Sequence, residues 1–382
     1  MAPTFPSTTA PFVLAGLLAL AAAPSVAQSQ PSPKAQTVAS GLQNPWAVAF
    51  LPDGRFLVTE RPGRLRVVNA DGQVQPAVQG LPEVAAGGQG GLLDVITDSA
   101  FASNRTIYFC FSEPGKGTTN STALARARLS DDLKQLQDMK VIFSQQPKVS
   151  STAHFGCRIV ERQVNGKPDG TLLLTLGERF SRRDDAQTLD NHHGKIVRVG
   201  KDGSVPKDNP FVGKAGALPE IWSYGHRNSQ GATLAPDGSL WTHEHGARGG
   251  DEINRPQAGK NHGWPLVSFG VNYDGSTIGT GKSSAPGLEP PLHHWTPSIA
   301  PSGMAFLTSD RYGAAWKGNL FVGSLKFQYL DRIELKDGQV VAEHKLLEDL
   351  GQRIRDVRQG PDGLLYVLTD NANGRLIRLL HN

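Results

Sequence analysis

The chain has 382 residues, with 43 glycines, 26 prolines and two cysteines, long enough for two ordinary domains or one large repeat-built domain. Glycine and proline above the usual background, set between short apolar runs, give the texture of an all-β protein. The net charge of +4 and a pI near 9.0 do not point to nucleic acid. Basic residues are scattered among acidic ones, with neither a basic stripe nor an aromatic stacking platform. The one dense cluster, Arg179 to Arg183, runs into Asp184 and Asp185 and reads as a solvated loop.

Residues 1–27 read as a secretory signal: an apolar run from Pro11 to Ala23, then Ser25-Val26-Ala27, with small residues placed for cleavage before Gln28. The run is shorter than the roughly 20 residues that span a bilayer, and Pro24 interrupts it, so export to the periplasm or medium without a membrane anchor is expected. A polar linker, 28–37, follows, and 38–382 read as a single domain.

Within that domain a turn-then-strand phrase recurs. Clear copies are LPDGRFLVTE from Leu51, KPDGTLLLTLGE from Lys167, APDGSLWTHEHG from Ala235 and GPDGLLYVLTDN from Gly360; looser ones start at Ser103 and Trp316. Six copies at irregular spacing predict a six-bladed β-propeller with insertions of different length, rather than a pair of β-sandwiches. No window sustains helical periodicity over four turns, so any helices are short. Cys110 and Cys157 could bridge in an oxidising compartment, but each sits in a strand-like, buried-looking context, and two separate thiols are the favoured reading.

Several segments carry polar groups where a scaffold needs none. AAGGQGGLLD, 85–94, sets Gln89 among glycines that let the backbone approach a flat ligand, although taken alone a plain flexible loop is the favoured reading. STAHFGCRIV places His154 just before a strand, in the same repeat as Glu178, and a carboxylate beside an imidazole supports base function. The segment 224–265 is the densest. Arg227-Asn228 offers a planar cation and an amide; Glu244, Asp251, Glu252 and the carbonyls around Gly246 offer oxygens that suit Ca²⁺. His243 and His245, alternate residues of one strand, leave a zinc reading open but lack a convincing third ligand. His192-His193 and His293-His294 read as loop or packing residues. Lys326, Arg353 and Arg355 could receive a small polyanion.

Taken in order, GGQGGLLD, HFGxR, WSYGxRNxQG, EHGxRGGDEIN, KNxGWP and GQRIRDVRxGPDGxLYVLTD resemble the soluble quinoprotein sugar dehydrogenases, the PQQ-dependent aldose sugar dehydrogenases among them, from about Val38 to Leu379. The resemblance implies a propeller that binds pyrroloquinoline quinone (PQQ) and Ca²⁺ on one face. It implies cofactor contacts at Gln89, Arg227, Asn228, Tyr273, Lys326, Arg353 and Arg355. It implies catalysis by His154 as proton acceptor with Arg227, a catalytic calcium on the Gly246 and Ala247 carbonyls, and a structural calcium at Glu252 and His262. The reaction implied is oxidation of aldoses at C1 to aldonolactones by hydride transfer to PQQ. Four positions depart from the family pattern: His262 stands for Tyr, Ala247 for Pro, Cys157 for Gly, and Ala153 for a polar residue. A calcium-dependent propeller lactonase and a non-catalytic binding propeller are the alternatives. Neither the electron acceptor nor a choice between monomer and homodimer follows from the residues.

Overall fold

Five of the six turn phrases fall between the first and second strands of a four-stranded antiparallel sheet, the phrase from Lys167 instead opening the second strand after an Asn165-Gly166 turn, and the described residues form six such sheets. The computed structural model describes residues 33–381 together with 1–4 and 6. The expected signal sequence therefore lies almost wholly outside the described residues, as does the first half of the expected linker. The last linker residues do not behave as a linker: they open the first strand, Lys34–Leu42.

Five blades are built from consecutive strands, spanning 45–77, 92–144, 156–224, 229–295 and 301–346. The sixth takes its three inner strands from 354–380 and its outer strand from Lys34–Leu42, which pairs antiparallel with Gly374–Leu380 in a register that sets Lys34 opposite Leu380. Joining first and last strands in one sheet closes the ring and leaves no blade to be held by packing alone. The all-β expectation holds, and among the described residues helix is confined to short turns such as Phe101–Asn104 and Arg183–Gln187.

Burial follows position in the blade. Inner strands such as Phe56–Glu60 and Leu320–Ser324 are buried throughout, because both faces of a blade pack against neighbours. The outer strand Gln339–Leu346 instead alternates exposed and part-buried residues with the period of a pleated strand. Fully buried side chains such as Leu57, Val197 and Leu330 each contribute about 1.5–3 kcal/mol relative to exposure.

The axis is polar. Arg158, the arginine of HFGxR, is buried there with Nη1 2.8 Å from Asp356 and 3.5 Å from Asp94. Arg358 reaches Asp94 at 2.6 Å and Asp356 at 3.1 Å. Two cations and two anions from three innermost strands neutralise one another, so no buried charge there is left unpaired.

The cysteines are bridged. Cys110, in the second strand of the second blade, and Cys157, in the innermost strand of the third, form a disulfide. The sequence reading favoured free thiols because burial in a strand is an ordinary place for a small apolar residue. Only the packing of two blades shows that the strands bring the Cα atoms to 5.8 Å.

Candidate active site

In a hairpin, the end of the second strand lies beside the start of the first. The six turns therefore mark one face of the ring, and the strand starts and ends opposite them mark the other. The singled-out residues gather on that second face: His154 before Gly156–Val164, Glu178 after Lys167–Leu176, Asn228 before Ser229–Leu234, Gly246 after Leu240–Glu244, Lys326 after Leu320–Ser324 and Arg353 before Ile354–Gln359.

His154 is held from four sides. Its backbone is left-handed, with φ of 52°, a conformation a β-carbon disfavours. Its amide donates to Gln89 Oε1 at 2.8 Å. Behind its carbonyl lies Gly177, where an added Cβ would come 2.1 Å from the His154 oxygen, so only glycine fits. Its Nδ1 lies 3.1 Å from Glu178 Oε1. Burial holds the imidazole below its ordinary pKa; Glu178 raises it only partway back. Burial therefore favours the neutral ring.

The expectation of a solvated loop at Arg179 is wrong. Arg179 is fully buried, its guanidinium 3.9 Å from the Phe155 ring centroid. Its donors go to carbonyl oxygens of Ala153 at 3.0 Å, Ser151 at 2.7 Å and Asn120 at 3.0 Å, and to Asn120 Oδ1 at 2.7 Å. Burial lowers its pKa to about 10. It crosslinks the segment that carries His154, while Arg182 and Arg183 are solvated as expected. Nothing in the RFSRR string distinguishes the one inward arginine from its neighbours.

Arg227 lies next along the face. Its carbonyl accepts the Glu178 amide at 3.0 Å, and its guanidinium donates to His245 O at 3.1 Å and Tyr273 Oη at 3.3 Å, 5.1 Å over the Trp264 ring. It is 3% exposed, its amide donates to Glu244, and its guanidinium meets no carboxylate among the described residues and keeps Nε unsatisfied. Asn228 Oδ1 accepts from Gly156 N at 3.1 Å and Gln230 Nε2 at 3.2 Å, while its own Nδ2 finds no partner. Through Gln230 the chain of contacts reaches Arg355 at 3.4 Å. Arg355 and Arg353 share the single carboxylate of Asp370, at 2.6 and 3.3 Å, which leaves that corner net positive.

A cavity of about 760 Å³ is lined by His245 and Tyr273, the partners of Arg227, with Gly246, Ala247, Arg248 and Lys326 among others. The Gly246 loop is tied down by Asp251, which accepts from the amides of Gly246, Ile299 and Ala300 at 2.8, 2.8 and 2.9 Å and from the Ser298 hydroxyl at 2.7 Å. Asp251, singled out as a metal oxygen, is thus saturated by its own protein. Glu252 is different: it receives one bond, from Asn254 at 3.4 Å, and burial plus the nearby Glu244 charge push its carboxyl up to about 8.

The histidines recede. His243 and His245 bond to the carbonyls of Gly303 and Pro301 at 3.2 and 2.7 Å, and burial drives their pKa values down to about 3 and about 4. Among the described residues no group of three or more His, Cys, Asp or Glu side chains is placed to hold a metal, so the zinc reading finds no third ligand. His262 stacks on His226 at 4.6 Å and shares a small pocket with Glu252, Glu244 and Trp264.

A family model for glucose and sorbosone dehydrogenases matches residues 42–378. The chain belongs to that family. An aldose sugar dehydrogenase of Escherichia coli is 46% identical over 341 residues, 88% of this chain and 90% of the relative. A crystal structure of a glucose dehydrogenase superposes with a TM-score of 0.87 at 47% identity, covering 92% of this chain and all of that one. The PQQ-bound aldose sugar dehydrogenase of Streptomyces coelicolor superposes with a TM-score of 0.74 at 28% identity, covering 92% and 99%. Family membership accords with the six-bladed fold and with the quinoprotein motifs. No helix among the described residues is long and apolar enough to cross a membrane.

Proposed function

We propose that this protein oxidises aldose sugars at C1 to aldonolactones, using PQQ and Ca²⁺ on the face that carries His154, in the periplasm or outside the cell. The observation that carries the reading is Arg227: a buried guanidinium with no carboxylate partner among the described residues, bonded to His245 and Tyr273 on the wall of a cavity that Arg248 and Lys326 also line. Such a site suits a flat polyanion, and PQQ is a planar tricarboxylate. When bound, PQQ supplies the two-electron acceptor. Arg227, Asn228 and Gln89 would hold its quinone end, Tyr273 its ring plane, and Lys326, Arg353 and Arg355 its carboxylates. Gly246 and Ala247 would offer carbonyl oxygens to the catalytic Ca²⁺, which suits oxygen donors.

His154 is the base. With Nδ1 turned to Glu178, Nε2 is the nitrogen left to take the proton of the anomeric hydroxyl, and a neutral ring at pH 7 is the form that can do so. Glu178 fixes the tautomer and stabilises the imidazolium once formed. Glu252, with one hydrogen bond and a carboxyl that resists ionisation unless a cation is near, fits a structural Ca²⁺. His262, whose Nε2 is unsatisfied, would contribute its backbone or ring environment there.

The test is reconstitution. Cofactor-free protein is given PQQ and Ca²⁺, and dye reduction is followed with a panel of aldoses. Reduction is expected; bound PQQ with no turnover of any aldose would sink the reading and return the lactonase or a binding propeller to consideration.

A further inference from the structure

Phe180 is in the wrong place for a core residue and in a costly backbone for a surface one. Its ring is 53% exposed. Its φ is 65°, directly after Arg179 at 64°, so two consecutive non-glycine residues are left-handed, a conformation that costs stability unless the surroundings impose it. They do impose it. Arg179 is anchored inward by its four bonds, and the Phe180 amide donates to Glu178 Oε2. With the side chain before it turned into the protein, Phe180 is turned out, against the imidazole of His154 at 5.3 Å between centroids and 79° between planes. On its other side the exposed ring of Tyr273 lies nearly parallel, at 6.4 Å and 29°. The fold thus sets an apolar ring beside the base and leaves it in water.

Resting on the aldose reading above, we infer that Phe180 is the substrate-recognition residue beside the base: its ring receives the apolar C–H face of an aldopyranose whose anomeric hydroxyl reaches His154. A pyranose with equatorial hydroxyls presents C–H groups above and below its ring. An aromatic face desolvates them at little entropic cost, because a Phe ring has few rotamers and this one is already positioned. The hydroxyls, pointing sideways, stay free for polar contacts. The contact is present in bound substrate and transition state alike, so it acts on KM more than on kcat.

The test uses full-length protein reconstituted with PQQ and Ca²⁺, with glucose as probe, on wild type, Phe180→Ala, Phe180→Leu and Phe180→Tyr. PQQ affinity is titrated separately for each. Phe180→Ala is expected to raise KM roughly tenfold with little change in kcat and unchanged PQQ affinity. Phe180→Tyr should restore KM, and Phe180→Leu, which keeps apolar bulk without a flat face, should fall between. An unchanged KM in Phe180→Ala overturns the inference, as does a parallel loss of PQQ affinity, which would make the ring a cofactor contact. A fall in kcat alone with a moved pH profile also overturns it, since Phe180 would then serve only to pack His154. Wild type that binds PQQ yet oxidises no aldose refutes the proposed function itself, and the inference with it. Wild-type turnover with an indifferent Phe180→Ala refutes the inference alone.

Discussion

Glu178 Oε1 sits 3.1 Å from Nδ1 of His154, and its other oxygen is taken by the Phe180 amide. One carboxylate therefore orients the base and fixes the backbone that flanks it. Burial lowers the His154 pKa while Glu178 raises it, and the two effects separate on mutation. On the proposed mechanism His154 acts when neutral, so activity is expected above its pKa and is expected to be lost as pH falls through it. Glu178→Gln removes the raising influence. Its kcat should drop about tenfold or more, while the acidic limb of its kcat/KM profile moves to lower pH than in wild type. A limb displaced upward would show that Glu178 does not face the titrating group. His154→Gln should lose about 10²–10⁴-fold in kcat with PQQ still bound.

Lys326 is an exposed cation on the cavity wall. Lys326→Ala should weaken PQQ binding about tenfold and leave thermal stability unchanged, since the side chain covers no core. Arg355→Ala should weaken binding too, but it also leaves the carboxylate of Asp370 with only Arg353 and Asn44, at 3.3 Å each, in place of its shortest ion pair, and so should reduce Tm. Equal reconstitution at limiting PQQ for wild type and Lys326→Ala would remove Lys326 from the site.

Chelation separates the structural ion from the cofactor. EDTA should lower the Tm of PQQ-free protein and added Ca²⁺ should restore it, because Glu252 accepts a single long hydrogen bond, from Asn254, and lies beside the Glu244 charge. In Glu252→Gln the Tm should no longer respond to either. A calcium response that survives in Glu252→Gln would place the ion elsewhere.

The Cys110–Cys157 bridge joins two blades three residues beyond His154, and both cysteines are fully buried. Cys110→Ser with Cys157→Ser should cost about 2–4 kcal/mol of stability, read from denaturant unfolding. Thiol titration of native protein under mild reductant should detect no free thiol, and the same titration after denaturation and reduction should detect both. Two reactive thiols in denatured, unreduced protein would show that the bridge does not form.

Much of the architecture was legible as local pattern. LPDG, APDG and GPDG name hairpin turns by their own chemistry, and each lies where the phrase predicts, between innermost and second strands, whereas KPDG lies one step late, inside the second strand after an Asn165-Gly166 turn. Period-2 runs and turn residues act over a few positions, so they survive reading without neighbours. His154, Gln89, Arg227 and Asn228 were legible as chemistry because glycine-rich or aromatic flanks surround polar groups that a strand does not need. Their arrival on one face follows from the hairpin grammar alone.

What the sequence by itself determined, then, was the repeat, the strand-rich class and the residues able to do chemistry. The tertiary structure alone decided which of these meet. Arg179 and Phe180 adjoin in a string of charges, yet one is buried against Phe155 and the other stands in water. That reversal depends on acceptors from Asn120 and Ser151, far away in the chain. Likewise the cysteine pairing, the strand Lys34–Leu42 in the last blade, and the saturation of Asp251 by Ile299 and Ala300 are contacts between blades or across the ring closure. Such contacts are set by how closed sheets pack round an axis. Local periodicity carries no record of them, because the same strand pattern serves equally well beside any neighbour.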